Sequence, residues 1–65
     1  MTTISIKRKE LNLTQAQFAK RLNVSQQIVA RWESGKSFPH VSRLVDIASV
    51  LNCTVDELLK EEETK

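Results

Sequence analysis

The sequence contains very few of the residues on which disulfide-rich domains and metal proteins depend. It has one cysteine, Cys53, and one histidine, His40, among 65 residues. A lone cysteine cannot form an internal disulfide, and these two residues cannot supply the several His or Cys ligands of a typical zinc site. We therefore expect no disulfide framework, no metal site and no other cofactor.

Long apolar runs and targeting signals are also missing from the sequence. No run approaches the roughly 18 apolar residues of a membrane span, and the N-terminus lacks the pattern of a signal peptide. The three N-x-[ST] matches, at Asn12, Asn23 and Asn52, are therefore interpreted as helix ends and not as glycosylation sites. We expect a cytoplasmic protein that does not bind a membrane.

Strand signals and catalytic motifs are equally scarce. Glycine and proline occur once each, and no sustained alternation of Val, Ile, Thr and aromatic residues predicts a strand. No nucleophile with an activating base and no glycine-rich phosphate loop is recognisable. The sequence predicts one small all-α domain at residues 1–60 and a polar, acidic tail at residues 61–65. We expect neither an enzyme nor a small-molecule ligand.

Three similar quartets divide the chain: LNLT at 11–14, LNVS at 22–25 and LNCT at 51–54. In each quartet asparagine tolerates a left-handed turn and the hydroxyl residue can cap the next helix. Apolar residues one position before and four positions after each cap have the hydrophobic-staple spacing, and Thr14–Gln17 and Thr54–Glu57 match capping boxes. The pattern predicts five helices, at about residues 2–11, 15–22, 26–34, 41–51 and 55–60.

The apolar residues of these helices predict the core. We expect inward-facing side chains at Ile4, Leu11, Phe18, Ala19, Leu22, Val41, Leu44, Ala48 and Leu51. The fifth helix carries Leu58 and Leu59, either of which could remain exposed in a monomer. Gly35 is expected to end the third helix, and Pro39 to lie just before or inside the first turn of the fourth. His40 either helps to begin that helix or contacts a phosphate.

The third helix, QQIVARWES, has two different faces. At about 100° per residue, the core side carries Val29 and Trp32, and the opposite side carries Gln26, Gln27, Ala30, Arg31 and Ser34. Glutamine can bond bidentately to adenine and arginine to guanine, while small residues allow a flat surface to approach. The alternative is an ordinary solvated face. We expect Ile28 to extend the core beside Trp32, although its border position would also allow contact with a thymine methyl group.

Charge is distributed unevenly along the chain. Residues 1–43 hold eight Lys and Arg against two acidic residues, a net charge of +6, whereas residues 44–65 have a net charge of −4. A basic half that contains the polar third helix suits attraction to phosphates, and the acidic far end would be held away from them. The charge pattern therefore favours a nucleic-acid partner.

The stretch TQAQFAKRLNVSQQIVARWESGK, at residues 14–36, resembles the helix-turn-helix of the Cro and phage-repressor (XRE-type) family. The resemblance implies a compact five-helix domain of the lambda-repressor-like type, with helices 2 and 3 forming the helix-turn-helix. It also implies that Gln26, Gln27 and Arg31 read bases. Backbone or peripheral contacts are then expected from Gln15, Ser25, Ala30, Ser34, Lys36, Ser37 and His40. Two positions depart from the family pattern: Asn23 replaces a usual glycine, and Ile28 a frequent threonine or serine.

By this resemblance the protein is expected to be a sequence-specific transcriptional regulator, commonly a repressor, that binds double-stranded DNA. A homodimer would place two copies of helix 3 in successive major grooves of a palindromic operator, about 34 Å apart. The neighbourhood of helix 5 is the expected dimer face. The alternative is a helical interaction module that uses the same fold without binding DNA.

Overall fold

The computed structural model describes residues 1–63, with side chains described for residues 1–60. Its five helices are α1 (Thr2–Glu10), α2 (Gln15–Leu22), α3 (Gln26–Ser34), α4 (Val41–Leu51) and α5 (Val55–Glu63), with no strand in this part of the chain. The all-α prediction is confirmed. Helix α1 ends one residue earlier than predicted and α5 continues three residues further. The acidic tail expected at 61–65 lies outside the residues whose side chains are described.

Helices α2, α3 and α5 begin at the predicted caps. Thr14 and Gln17 form a complete capping box: the Gln17 N–H donates to Thr14 Oγ1 at 3.0 Å, and the Thr14 N–H donates to Gln17 Oε1 at 2.8 Å. Ser25 Oγ accepts from the Ile28 N–H at 3.2 Å, and Thr54 Oγ1 accepts from the Glu57 N–H at 3.1 Å. These bonds satisfy backbone donors that the first turn of a helix otherwise leaves free.

Helices α2, α3 and α4 end at residues in the left-handed conformation, and Asn12, one residue after the C-cap of α1, adopts it as well. Asn12, Asn23 and Asn52 have φ of 59°, 61° and 56°, and Gly35 has φ of 82°. Asparagine and glycine are the residues that adopt this conformation at least cost. At Asn23, where the resemblance noted above implies a usual glycine, the turn between α2 and α3 is therefore preserved.

The core lies between the five helices. Helix α2 packs against α3 and α4, and α1 packs against α3, α4 and α5. The fully buried side chains include Ile4, Phe18, Val29, Ile47 and Leu58. None of the described helices is long and apolar enough to cross a membrane.

Two residues predicted to be in the core are exposed. Leu11 is 42% exposed because it follows the last residue of α1, where the chain turns away from the helix. Val41 is 73% exposed because it opens α4 beside the core stripe, which consists of Leu44, Ile47, Ala48 and Leu51. Ile47, which the prediction omitted, completes that stripe. On α5, Leu58 is buried and Leu59 is partly exposed.

Candidate nucleic-acid interface

Helix α3 presents a polar face to solvent. Gln26, Gln27 and Arg31 are all exposed, and we call these three side chains the reading face. No side-chain hydrogen bond from them to any residue with a described side chain is present. On the opposite side of the helix, Val29 and Trp32 are 0% and 5% exposed. The core therefore fixes the helix while the reading face keeps its hydrogen-bonding groups available for a partner.

Small residues lie beside the reading face. Ala30 is half-buried and Ser34 is exposed, with its hydroxyl donating to the Arg31 carbonyl at 3.2 Å. Neither side chain projects far from the helix, so a flat partner can approach its backbone. Ser25 stands at the other end of the helix as its N-cap.

The loop after α3 is tied back to that helix. The backbone N–H groups of Lys36 and Ser37 both donate to the Arg31 carbonyl, at 3.0 and 3.4 Å. Lys36 is exposed and Ser37 is half-buried. The loop therefore places a lysine charge directly beyond the C-terminal end of α3.

His40 is the N-cap of α4, as the first of its two interpretations predicted. Its Nδ1 accepts from the Ser42 N–H at 3.2 Å and lies 3.0 Å from Ser42 Oγ. Pro39 precedes this cap and is buried. The capping role is confirmed, and a phosphate contact by the exposed His40 ring stays a prediction.

Ile28 does not lie in the core, so that prediction is wrong. The side chain is 40% exposed. Val29 and Trp32 occupy the inward side of α3, and Ile28 falls at the border between that side and the reading face. A position on this border is buried only if a neighbouring helix covers it.

Arg8, Gln15 and Glu33 form a polar cluster, here called the buried network, that sequence reasoning did not find. Arg8 Nε donates to Glu33 Oε2 at 2.7 Å, and its Nη2 donates to Glu33 Oε1 at 3.1 Å. Arg8 Nη1 also donates to the Leu13 carbonyl at 2.7 Å. The Gln15 amide nitrogen donates to Glu33 Oε1 at 3.0 Å. The network joins α1, α2 and α3 through one carboxylate.

Both charged groups of the buried network are held in their ionised forms. Burial raises the pKa of Glu33, but hydrogen bonds from Arg8 and Gln15, together with the charges of Arg8 and Lys9, bring that pKa below its usual value. The hydrogen bond to Glu33 raises the pKa of Arg8 despite desolvation. Only 9% of the Arg8 side chain and 8% of the Glu33 side chain is exposed. This pair therefore holds the helices together and does not contribute to the basic surface.

Gln15, from which a contact to the DNA backbone is expected, is placed differently from what that role implied. It is the first residue of α2, but its side chain is half-buried and donates to Glu33. An amide nitrogen has two hydrogens, so one remains for a second acceptor at the start of α2. The other free N–H groups of that first turn could also bind a phosphate. No local spacing rule would have connected Gln15 to a carboxylate 18 residues away.

Comparison with known proteins identifies the relatives of this chain. A family model described as "Helix-turn-helix" matches residues 4–58. The HTH-type transcriptional activator BcrR of Enterococcus faecalis is 46% identical over 52 residues, which cover 80% of this chain and 26% of BcrR. The cryptic phage CTXphi transcriptional repressor RstR of Vibrio cholerae is 41% identical over 51 residues, or 78% of this chain and 46% of RstR. No solved structure matches the chain significantly.

Two helices joined by a short turn, the second with a polar outer face, define α2 and α3 as a helix-turn-helix. The family model matches most of the chain, at residues 4–58. The chain therefore belongs to the Cro/C1-type (XRE) helix-turn-helix family of DNA-binding transcriptional regulators, and its fold is lambda-repressor-like. The family is not one of enzymes. The chain spans 26% of the length of BcrR and 46% of that of RstR.

Proposed function

We propose that this chain is a sequence-specific regulator that inserts α3 into the major groove of DNA. The observation that carries the proposal is the reading face, whose side chains are exposed on a helix anchored by Val29 and Trp32. Glutamine and arginine match the edges of adenine and guanine in bidentate geometry. Arg31 is therefore assigned to a guanine, and Gln26 and Gln27 to adenines.

Phosphate contacts would hold α3 in register without reading sequence. Gln15 and the first turn of α2 provide N–H donors at one side, and Lys36 and Ser37 follow the end of α3 at the other. His40 is the next polar side chain along this loop. Ser25, Ala30 and Ser34 flank the reading face and are assigned peripheral contacts.

We also propose that the chain acts as a dimer. Two copies of α3 about 34 Å apart would read the two halves of a palindromic operator. Apolar side chains left exposed on α4 and α5, namely Val41, Val45 and Leu59, are the candidates for the contact between copies. Repression is the simplest outcome, because occupying a promoter requires only the DNA-binding surface. Sedimentation of the chain with and without its operator measures the number of copies bound.

Selection of bound sites from random DNA, followed by affinity measurements on variants, tests base reading. Arg31→Ala should relax the preference at one guanine by about 1–3 kcal/mol, and Gln26→Ala or Gln27→Ala should do so at an adenine. The matched control is Lys36→Ala, which should weaken binding to selected and random DNA alike. It should also reduce the slope of log affinity against log salt concentration by about one.

All affinities must be compared at one salt concentration, because phosphate binding is strongly salt-dependent. Equal losses on selected and random DNA for all three reading-face variants would contradict base reading. Failure of the unmodified chain to bind any DNA would instead support the interaction module that uses this fold without DNA.

A further inference from the structure

Ile28 is an exposed apolar side chain within the polar surface of α3. It is 40% exposed, whereas the other large apolar side chains of this helix, Val29 and Trp32, are 0% and 5% exposed. It immediately follows Gln27 and lies about 60° from Arg31 around the helix axis. Any DNA that contacts the reading face therefore lies next to Ile28.

The position of Ile28 along the helix also matters. It is in the first turn of α3, and the N-terminal residues of a recognition helix are those that contact base edges. Its backbone N–H is already bonded to Ser25 Oγ at 3.2 Å. The residue therefore has no free backbone donor for a phosphate, and its contribution to an interface is its aliphatic side chain.

The chemistry of the major groove identifies a partner for this side chain. The base edges there present hydrogen-bond donors and acceptors and one kind of apolar group, the C5-methyl of thymine. We propose that Ile28 contacts a thymine methyl group and so restricts one position of each half-site to thymine. The proposal rests on the insertion of α3 into the major groove proposed above.

Replacing thymine by deoxyuridine tests this contact, because it removes the methyl group and keeps the hydrogen-bonding edge. Each thymine of the selected operator is replaced singly, and the affinity of the whole chain is measured for every duplex. Removing one buried methyl group should lower affinity roughly fourfold, as expected for about 0.8 kcal/mol per apolar carbon. This loss should occur at one thymine in each half-site.

The Ile28→Ala variant should bind the unmodified operator more weakly and should lose the penalty at that thymine. The matched control is Ile6→Ala, which truncates the same kind of side chain, 51% exposed on α1, and should keep the penalty. Melting temperatures of both variants close to that of the unmodified chain establish that folding is retained.

Two results would overturn the proposal and leave α3 insertion standing: indifference of the unmodified chain to every deoxyuridine, or a penalty that persists in Ile28→Ala. In both cases Arg31→Ala would still relax the preference at its guanine. A chain that selects no preferred sequence would overturn the base-reading function and the thymine contact together.

Discussion

The chain uses arginine and glutamine in two opposite ways, in the buried network and on the reading face. In the buried network, one carboxylate joins an arginine and a glutamine with bonds of 2.7 to 3.1 Å. On the reading face, the same residue types are exposed to solvent. Burying a charge lowers stability unless the charge is paired and hydrogen-bonded, whereas an exposed side chain can keep its hydrogen-bonding groups available for a partner.

Helix α3 contributes residues to both the buried network and the reading face. Glu33 and Arg31 are two residues apart, a rotation of about 200°, so they lie on opposite sides of the helix. The side that carries Glu33 attaches α3 to α1 and α2, and the side that carries Arg31 is free. The buried network therefore gives the reading face a fixed orientation without using any of its hydrogen-bonding groups.

Breaking the buried pair should have the largest effect on stability. Glu33→Leu leaves the Arg8 charge buried without its partner, and the free energy of unfolding should fall by about 3–5 kcal/mol. A loss of this size is a large part of the total stability of a small domain, so the variant could be partly unfolded. Urea denaturation measures the difference.

A double variant separates charge from packing at this site. Arg8→Met with Glu33→Leu removes both charges and should lose less stability than Glu33→Leu alone, because no uncompensated charge remains. If the double variant were as unstable as the sum of the single variants, the loss would come from packing and not from the ion pair.

The same pair should make stability depend on pH. The folded-state pKa of Glu33 is lowered, so its contribution is fully present above the ordinary glutamate pKa of about 4.3. It is lost as the pH falls through the lower folded-state value, because the unfolded chain binds the proton more readily. Melting temperatures between neutral and acid pH should fall less steeply in Glu33→Gln. Parallel curves of melting temperature against pH for the two proteins would show that Glu33 does not contribute to the loss of stability in acid.

Local rules predicted most of the fold correctly. Caps and turns such as Thr14, Asn23, Ser25 and Gly35 depend on interactions within a few residues, and every one of them is in its predicted conformation. Helix boundaries follow from those residues, so four of the five predicted helices end within one residue of the observed ends. The polar outer face of α3 was predicted by the same helical periodicity.

Contacts between distant segments explain what the sequence did not predict. Arg8 and Glu33 are 25 residues apart, and their pairing becomes visible only when α1 and α3 are packed together. Ile28 and Val41 lie at the edges of apolar stripes, where burial depends on whether another helix extends over them. For the reading face, periodicity predicts exposure, but the base that each side chain reads depends on the DNA.

Loss of the α3 cap should have an intermediate effect. Ser25→Ala removes the acceptor of the Ile28 N–H and should lower the free energy of unfolding by about 0.5–2 kcal/mol. The matched control is Ser49→Ala on the exposed side of α4, which should change stability by no more than about 0.5 kcal/mol. An unchanged urea midpoint for Ser25→Ala would show that the hydroxyl does not stabilise the start of α3.

The smallest effect on stability is expected from the reading face itself. Gln26→Ala, Gln27→Ala and Arg31→Ala should each change the free energy of unfolding by no more than about 0.5 kcal/mol. Alanine is a slightly better helix former than glutamine or arginine, which offsets small losses. Arg31 also lies in the last turn of α3, where a positive charge favours the helix dipole, so Arg31→Lys serves as its charge-preserving control. Urea denaturation without DNA provides the comparison. A loss above about 1 kcal/mol for Gln26→Ala or Gln27→Ala would show that the residue supports the fold, and the contrast with the buried network would no longer hold at that position.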